Sequence, residues 1–389
     1  MTISGPRTTD AVSLLSDVAA DLGVAAARET HLAWVRRIHG AADRVAGPTA
    51  RWVGKAHAGV ATVAYGGAGI GLRACSAGFD RAAAAGLGAP LEATPRGRFV
   101  TAAVNGLIGD RLSEERPRWA IPVAVRAHGR DVAPVAADLA RAYPDASGRL
   151  AVFVHGLCES ETCWEFGRER TGVTYPEAVT DLGWSALPLR VNTGLPLRAN
   201  GAAVASLLAR LVEEWPVPVT RIALVGHSMG GLLLRAAAAV SVEGAAAGWT
   251  ARVSDVVTLG TPHLGAPVAG GLERGRSALG RLPEAAALGR FLASSSAGVR
   301  DLADGLADDV PPLPHARYRL VVGTLTASPR HPVGHVLGDL LVRPGSARGR
   351  DRSGRELFPG AEVLHLGRTD HFGLLNHPEA LGALRRWLA

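Results

Sequence analysis

Residues 222–230 read Ile-Ala-Leu-Val-Gly-His-Ser-Met-Gly. A short apolar run ends in Gly226-His227-Ser228-Met229-Gly230, and a stretch of helical character, 229–240, follows. This is a Gly-x-Ser-x-Gly pattern set between a strand and a helix. A serine on so sharp a turn is pushed out of the sheet with its hydroxyl exposed. A side chain at Gly226 or Gly230 would crowd the turn or the strand–helix packing behind it. Ser228 is therefore the candidate nucleophile.

Working outward, short apolar runs alternate with amphipathic stretches. Strands are predicted at 150–154, 185–190, 221–225, 253–259, 317–322 and 361–366, and a hairpin from Ala120 onward through His128-Gly129. Residues 202–214 place Val204, Leu207, Leu208, Leu211 and Val212 on one helical face, and 379–388 do the same with Leu381, Leu384 and Leu388. Strands alternating with helices predict an α/β fold with a mostly parallel sheet covered on both sides. Between Pro267 and Ala316 the alternation breaks into Leu-rich helical pieces with Gly and Pro, which reads as a helical lid insertion over about 268–315. Residues 11–86 read as Ala-rich helices and 87–118 as a mixed connector. The expected organisation is an N-terminal helical extension and connector over 1–118 and an α/β domain over 119–389.

The composition narrows the partners. A chain of 389 residues with 47% hydrophobic residues suits one large domain with an extension, or two domains. The net charge is +7, but Lys55 is the only lysine and the arginines are spread along the chain. No basic stripe interleaved with aromatics exists, which argues against nucleic acid as a partner. The strong arginine bias, with so much Ala and Gly, fits a GC-rich genome. The cysteines Cys75, Cys158 and Cys163 are odd in number and lack metal-ligand spacing, so neither a metal nor another cofactor is expected. Cys158 and Cys163 are close enough to pair, and two free thiols in a reducing cytoplasm are the alternative. Residues 1–10 are polar and lack the apolar core of a signal peptide, so a cytoplasmic location is expected. Residues 58–72 are nearly uncharged but too short and too rich in Gly and Ala to span a membrane. Tight helix packing is the favoured use of this stretch, with membrane-surface contact the alternative.

A serine hydroxyl is a weak nucleophile unless a base takes its proton, and the base works best with an acid orienting it. In enzymes with this turn, acid and then base follow the serine in the chain. His371 lies just past the last predicted strand and is the candidate base, with His377 as runner-up. His365 falls inside that strand, and His377 is placed to cap the final helix. Asp339 follows strand 317–322 and precedes His371, which makes it the candidate acid. Asp301, Asp304, Asp308 and Asp309 come before that strand, Asp351 sits in an Arg-rich loop, and Asp370 is adjacent to the histidine, where side chains seldom face each other. A tetrahedral intermediate needs two backbone donors. Met229, after the nucleophile, supplies one. The loop His155-Gly156-Leu157-Cys158 supplies the other, from Leu157 or alternatively Cys158.

These stretches, together with Gly260-Thr261-Pro262-His263-Leu264-Gly265 and His371-Phe372-Gly373-Leu374-Leu375-Asn376-His377-Pro378, resemble the lipase and esterase branch of the α/β-hydrolase superfamily. Bacterial triacylglycerol-lipase-like proteins and GPI inositol-deacylase-like hydrolases are the groups most alike. The resemblance covers roughly 119–389. It implies an α/β-hydrolase fold and ester hydrolysis through an acyl-serine, with Ser228, Asp339 and His371 as triad. Asp339 also fits that branch's Asp-x-x-Val pattern ahead of a serine, here Ser346, although Arg343 departs from it. The expected substrate is an ester or lipid-like small molecule. Transfer of the acyl group to an alcohol or lipid acceptor, and a binding protein on a catalytically dead fold, are the competing readings.

Overall fold

A computed structural model describes residues 5–24, 27–29, 31–33, 35–36, 48–240, 247–266, 296–306, 310–351 and 353–389. Most of the predicted lid, residues 268–295 and 307–309, lies outside the described residues. The described residues fall into two compact units, one ending at Gly97 and the other running from Arg98.

The first unit is helical. Helix α1 (Thr8–Val18) packs on the 37-residue helix α2 (Pro48–Ala84). Their small side chains allow close approach, and the contact is polar at its centre. Ser13 Oγ lies 2.9 Å from Ser76 Oγ and donates to Asp80 Oδ1 at 2.6 Å. Among the described residues, no helix is long and apolar enough to cross a membrane.

The second unit begins within helix α3 (Pro95–Glu115), where the sequence pattern reads as connector. Its helical geometry breaks at Ile108 (φ −141°, ψ 24°). The break leaves the carbonyls of Gly106 and Leu107 to accept from Ser296, through its hydroxyl at 2.7 Å and its main-chain N–H at 3.0 Å. Then come β1 (Ala124–Ala127), β2 (Arg130–Val132), β3 (Arg149–Val154), helix α4 (Tyr175–Thr180) and β4 (Ser185–Arg190). Helix α5 (Leu197–Glu214), β5 (Arg221–His227), helix α6 (Met229–Ala238), β6 (Val253–Leu259) and helix α7 (Ala297–Asp304) follow. The unit ends with β7 (Arg317–Thr324), β8 (Glu362–Gly367) and helix α8 (Pro378–Leu388).

The eight strands form one sheet in the order β2-β1-β4-β3-β5-β6-β7-β8. β1 pairs antiparallel with β2 and β4, and all other pairings are parallel. Because side chains alternate across a strand, a parallel strand buried on both faces must be apolar throughout. In β3, Leu150, Val152 and Val154 enter the layer shared with α5 and α6, whereas Ala151 and Phe153 enter the layer shared with α4 and α8. β5 divides in the same way, Ile222 and Leu224 against Ala223 and Val225. Val204, Leu207, Leu208 and Leu211 are the buried face of α5, as their spacing predicts. The mostly parallel sheet with helices on both sides is the expected architecture.

Asp255, near the start of β6, is fully buried. It accepts from Ser254 Oγ at 2.6 Å and Arg221 Nη2 at 2.8 Å, and it pairs with Arg317 and Arg319. Burial alone would raise its pKa, but these hydrogen bonds and arginine charges hold it below the usual carboxylate value.

Candidate active site

The loops that follow β3, β5, β6, β7 and β8 carry the predicted chemistry, all at the carboxyl ends of parallel strands. Ligands in open α/β sheets bind at this edge.

Ser228 sits between β5 and α6 with φ +52° and ψ −124°, a left-handed conformation that side-chain-bearing residues seldom adopt. Its N–H donates to the Leu259 carbonyl at 2.8 Å, which ties the turn to the end of β6. The flanking glycines are required by space. A Cβ on Gly230 would lie 2.1 Å from the Val154 carbonyl oxygen, and one on Gly226 would lie 2.5 Å from the Gly231 nitrogen.

Asp339 and His371 are brought together. His371 Nδ1 lies 2.8 Å from Asp339 Oδ2, and the His371 N–H donates to the Asp339 carbonyl at 2.9 Å. The other carboxylate oxygen, Oδ1, accepts from the N–H groups of Leu341 (3.0 Å) and Val342 (2.8 Å). The acid is thus locked by its own turn, with one oxygen left for the imidazole. The turn forces Leu340 to φ +88°. A Cβ on Gly260 would stand 3.1 Å from both Asp339 Oδ2 and His371 Cε1, so the end of β6 also abuts this pair. Ser346 joins two of the sequence motifs. Its hydroxyl donates to the Gly265 carbonyl at 2.8 Å and accepts from the Leu264 N–H at 3.1 Å. Arg343 points outward and donates to the Val336 carbonyl.

The loop after β3 reaches the serine, since a Cβ on Gly156 would fall 2.9 Å from Ser228 Cβ. The N–H groups of Leu157 and Met229 have no acceptor among the described residues. The Cys158 N–H is occupied, donating to Thr193 Oγ1 at 3.1 Å, so of the two predicted donors Leu157 is the one left over. Thr193 belongs to the loop after β4, which Asn200 braces through the Asn192 carbonyl at 2.7 Å. Helix α3 presses on both loops: a Cβ on Gly106 would lie 2.4 Å from Cys158 Sγ, and one on Gly109 would lie 2.0 Å from Asn192 Oδ1. All three cysteines are free thiols. Burial, and next the Glu159 charge, push Cys158 up to about 11, so it stays protonated and poorly nucleophilic at neutral pH.

Glu159 is a site residue that the sequence pattern does not reveal. Its Oε2 accepts from the Gly156 N–H at 2.7 Å and lies 3.0 Å from His227 Nδ1. The carboxylate three residues after Gly156 is the only trace in the sequence. Burial would raise its pKa, but the His227 charge, the His227 hydrogen bond and the Gly156 N–H bring it down to about 2.

The other two histidines near the last strand have structural partners. His377 caps α8, its Nδ1 accepting from the Glu379 N–H at 3.3 Å, and His365 Nε2 lies 2.8 Å from Thr324 Oγ1. Asp370 accepts from the Gly373 N–H at 2.7 Å, away from the His371 ring nitrogen that Asp339 holds. Among the described residues, no group of three or more His, Cys, Asp or Glu could hold a metal ion.

Residues 145–273, which run from before β3 through Ser228 to beyond β6, match the family described as "Putative serine esterase (DUF676)". The sheet order and the mostly parallel pairing are those of the α/β-hydrolase fold. Among solved structures, this chain is similar to the lipase BlEst2 of Bacillus licheniformis in its mature form, at 22% identity and a TM-score of 0.43 over 61% of this chain and 91% of the lipase. It is similar to the Pyrococcus furiosus esterase PF2001 at 14% identity and a TM-score of 0.39, over 63% of this chain and 84% of that one. No curated protein sequence matches the chain significantly.

Proposed function

We propose that this α/β-hydrolase cleaves carboxylic esters through an acyl-serine intermediate. The observation that carries the reading is Ser228, held at φ +52° against the loop at Gly156, while the neighbouring Leu157 and Met229 N–H groups are used by no described residue. The His371–Asp339 pair at 2.8 Å supplies the base and its orienting acid.

In this reading Ser228 Oγ attacks the ester carbonyl carbon while His371 Nε2 takes the hydroxyl proton. Asp339 Oδ2 accepts from Nδ1–H, fixes the tautomer and stabilises the imidazolium that forms. The carbonyl oxygen becomes an oxyanion and receives hydrogen bonds from the Leu157 and Met229 N–H groups. The tetrahedral adduct collapses, the C–O bond to the leaving alcohol breaks, and His371 returns its proton to that alcohol. Water, deprotonated by His371, then attacks the acyl-serine and releases the acid. Every group needed is supplied by the chain, and the substrate class proposed is an ester or lipid-like small molecule.

The test is turnover of p-nitrophenyl esters of short and long acyl chains by the wild type and by Ser228→Ala. Turnover lost in the variant while its circular dichroism is unchanged supports the reading; equal turnover by both proteins overturns it. The ratio of transfer product to free acid in the presence of an added alcohol separates hydrolysis from acyl transfer.

A further inference from the structure

We propose that Glu159 and His227 are positioning residues: a buried carboxylate–imidazolium bridge that fixes the donor loop at Gly156 against the base-bearing loop at His371. The effect on rate rests on the esterase reading above; the bridge itself does not.

The bridge has three contacts. Glu159 Oε2 accepts from the Gly156 N–H at 2.7 Å and from His227 Nδ1 at 3.0 Å, and His227 Nε2 faces the His371 carbonyl oxygen at 3.3 Å. An ionised carboxylate and a peptide carbonyl can only accept hydrogen bonds. Both nitrogens of His227 must then donate, and an imidazole that donates from both is an imidazolium. His155, two residues before Leu157, has the opposite arrangement. Its Nε2 accepts from the Val191 N–H at 3.2 Å, so only Nδ1 carries a proton, donated to the Gly156 carbonyl at 3.0 Å. Of these two histidines, His227 is charged and His155 is neutral, each fixed by the groups it meets.

The surroundings agree. His227 is enclosed by Glu159 from the loop after β3, and by His371 and Asp339 from the loops after β8 and β7. Its ring centroid is 4.9 Å from that of His371 and 6.4 Å from that of Phe372. Burial would lower the His227 pKa, but the charge and hydrogen bond of Glu159 raise it above the ordinary value. His155 and Cys163 also face Glu159. Burial keeps His155 neutral, and burial together with Glu159 keeps the Cys163 thiol protonated.

The function follows from what the bridge joins. The Gly156 N–H sets the turn that presents the Leu157 N–H to the oxyanion. The His371 carbonyl belongs to the base, whose N–H and ring are already held by Asp339. The bridge therefore fixes donor and base in one frame across the nucleophile's own turn. A neutral His227 could donate from one nitrogen only, so one arm of the bridge opens as pH rises through its pKa.

The experiment compares wild type, Glu159→Gln and His227→Gln. Steady-state turnover of a p-nitrophenyl ester is followed across pH, and 15N spectra of histidine-labelled protein are recorded near pH 7. Misplacing reacting groups by about 1 Å costs about 10²-fold. Each variant should lower kcat by roughly 10- to 100-fold and leave KM within about threefold. In Glu159→Gln the alkaline fall in kcat should move to lower pH, because His227 has lost the carboxylate that holds its proton. In wild-type spectra one histidine, absent from His227→Gln, should carry protons on both ring nitrogens, and in Glu159→Gln that signal should become neutral. Variants with kcat within about twofold of wild type, or a wild-type His227 protonated on one nitrogen, would overturn the proposal. Should the wild type hydrolyse no ester, the esterase reading fails, and the spectra still decide the bridge. Should either variant fail to fold, the wild-type spectra decide it too.

Discussion

Replacing Ser228 with glycine should leave a more stable protein than replacing it with alanine, although both variants lack the serine hydroxyl. Ser228 holds φ +52° and ψ −124°. For a residue with a side chain, such a conformation costs about 1–3 kcal/mol. Alanine keeps that strain and glycine removes it. Against this, glycine makes the unfolded chain more flexible, which costs about 0.4–1 kcal/mol. The balance favours Ser228→Gly by about 1 kcal/mol. Urea unfolding followed by fluorescence reports on the second unit directly, because Trp164 and Trp184 are buried beside its sheet. With a slope of about 3 kcal/mol per molar urea, the midpoint should move up by about 0.3 M from Ser228→Ala to Ser228→Gly. If Ser228→Ala unfolds at the same or a higher urea concentration, the turn is not strained and the argument for a sterically enforced nucleophile is wrong.

Asp339→Asn keeps the shape of the acid but offers no charge to the imidazolium; kcat on p-nitrophenyl esters should fall about 10³- to 10⁴-fold with KM little changed. Asp255→Asn removes the buried carboxylate shared by Arg221, Arg317 and Arg319. That should cost about 3–5 kcal/mol in urea unfolding, while activity per folded molecule stays near wild type, because Asp255 lies at the start of β6 and the site at its end. The Glu159–His227 pair makes stability depend on pH in two windows. Because the folded His227 pKa is raised above 6.5, its contribution is full below 6.5 and is lost as pH rises through the raised value. Because Glu159 is held down to about 2, its contribution is present above 4.5 and is lost as pH falls towards 2. The stability difference between wild type and Glu159→Gln should therefore be largest between those windows, which urea unfolding across pH would check.

The turn at Ser228 was legible because its determinants are local. Gly226 and Gly230 flank the serine, and the strand and helix on either side are continuous stretches of one pattern. The sheet was legible for a related reason: strands buried on both faces, such as β3 and β5, stay apolar without interruption. Asp339 and His371 could be placed by their order after predicted strands, although the 2.8 Å contact between them spans 32 residues. What stayed hidden depends on close packing between distant segments. Helix α3 reads as connector because Gly97, Gly106 and Gly109 depress helix propensity. Gly106 and Gly109 are where its backbone meets Cys158 and Asn192. The partnership of Glu159 with His227 joins residues 68 apart, and nothing local in either marks the other. His227 reads in the sequence only as a member of the turn, whereas it makes polar contacts with both Glu159 and the loop of His371.

The central claim is that Ser228 forms a covalent acyl adduct. Incubating the protein with a fluorophosphonate and mapping the adduct by peptide mass spectrometry tests it most directly. One adduct is expected, on the peptide carrying Ser228, absent from Ser228→Ala and slowed in Asp339→Asn. An unlabelled wild type, or an adduct on another residue, would contradict it.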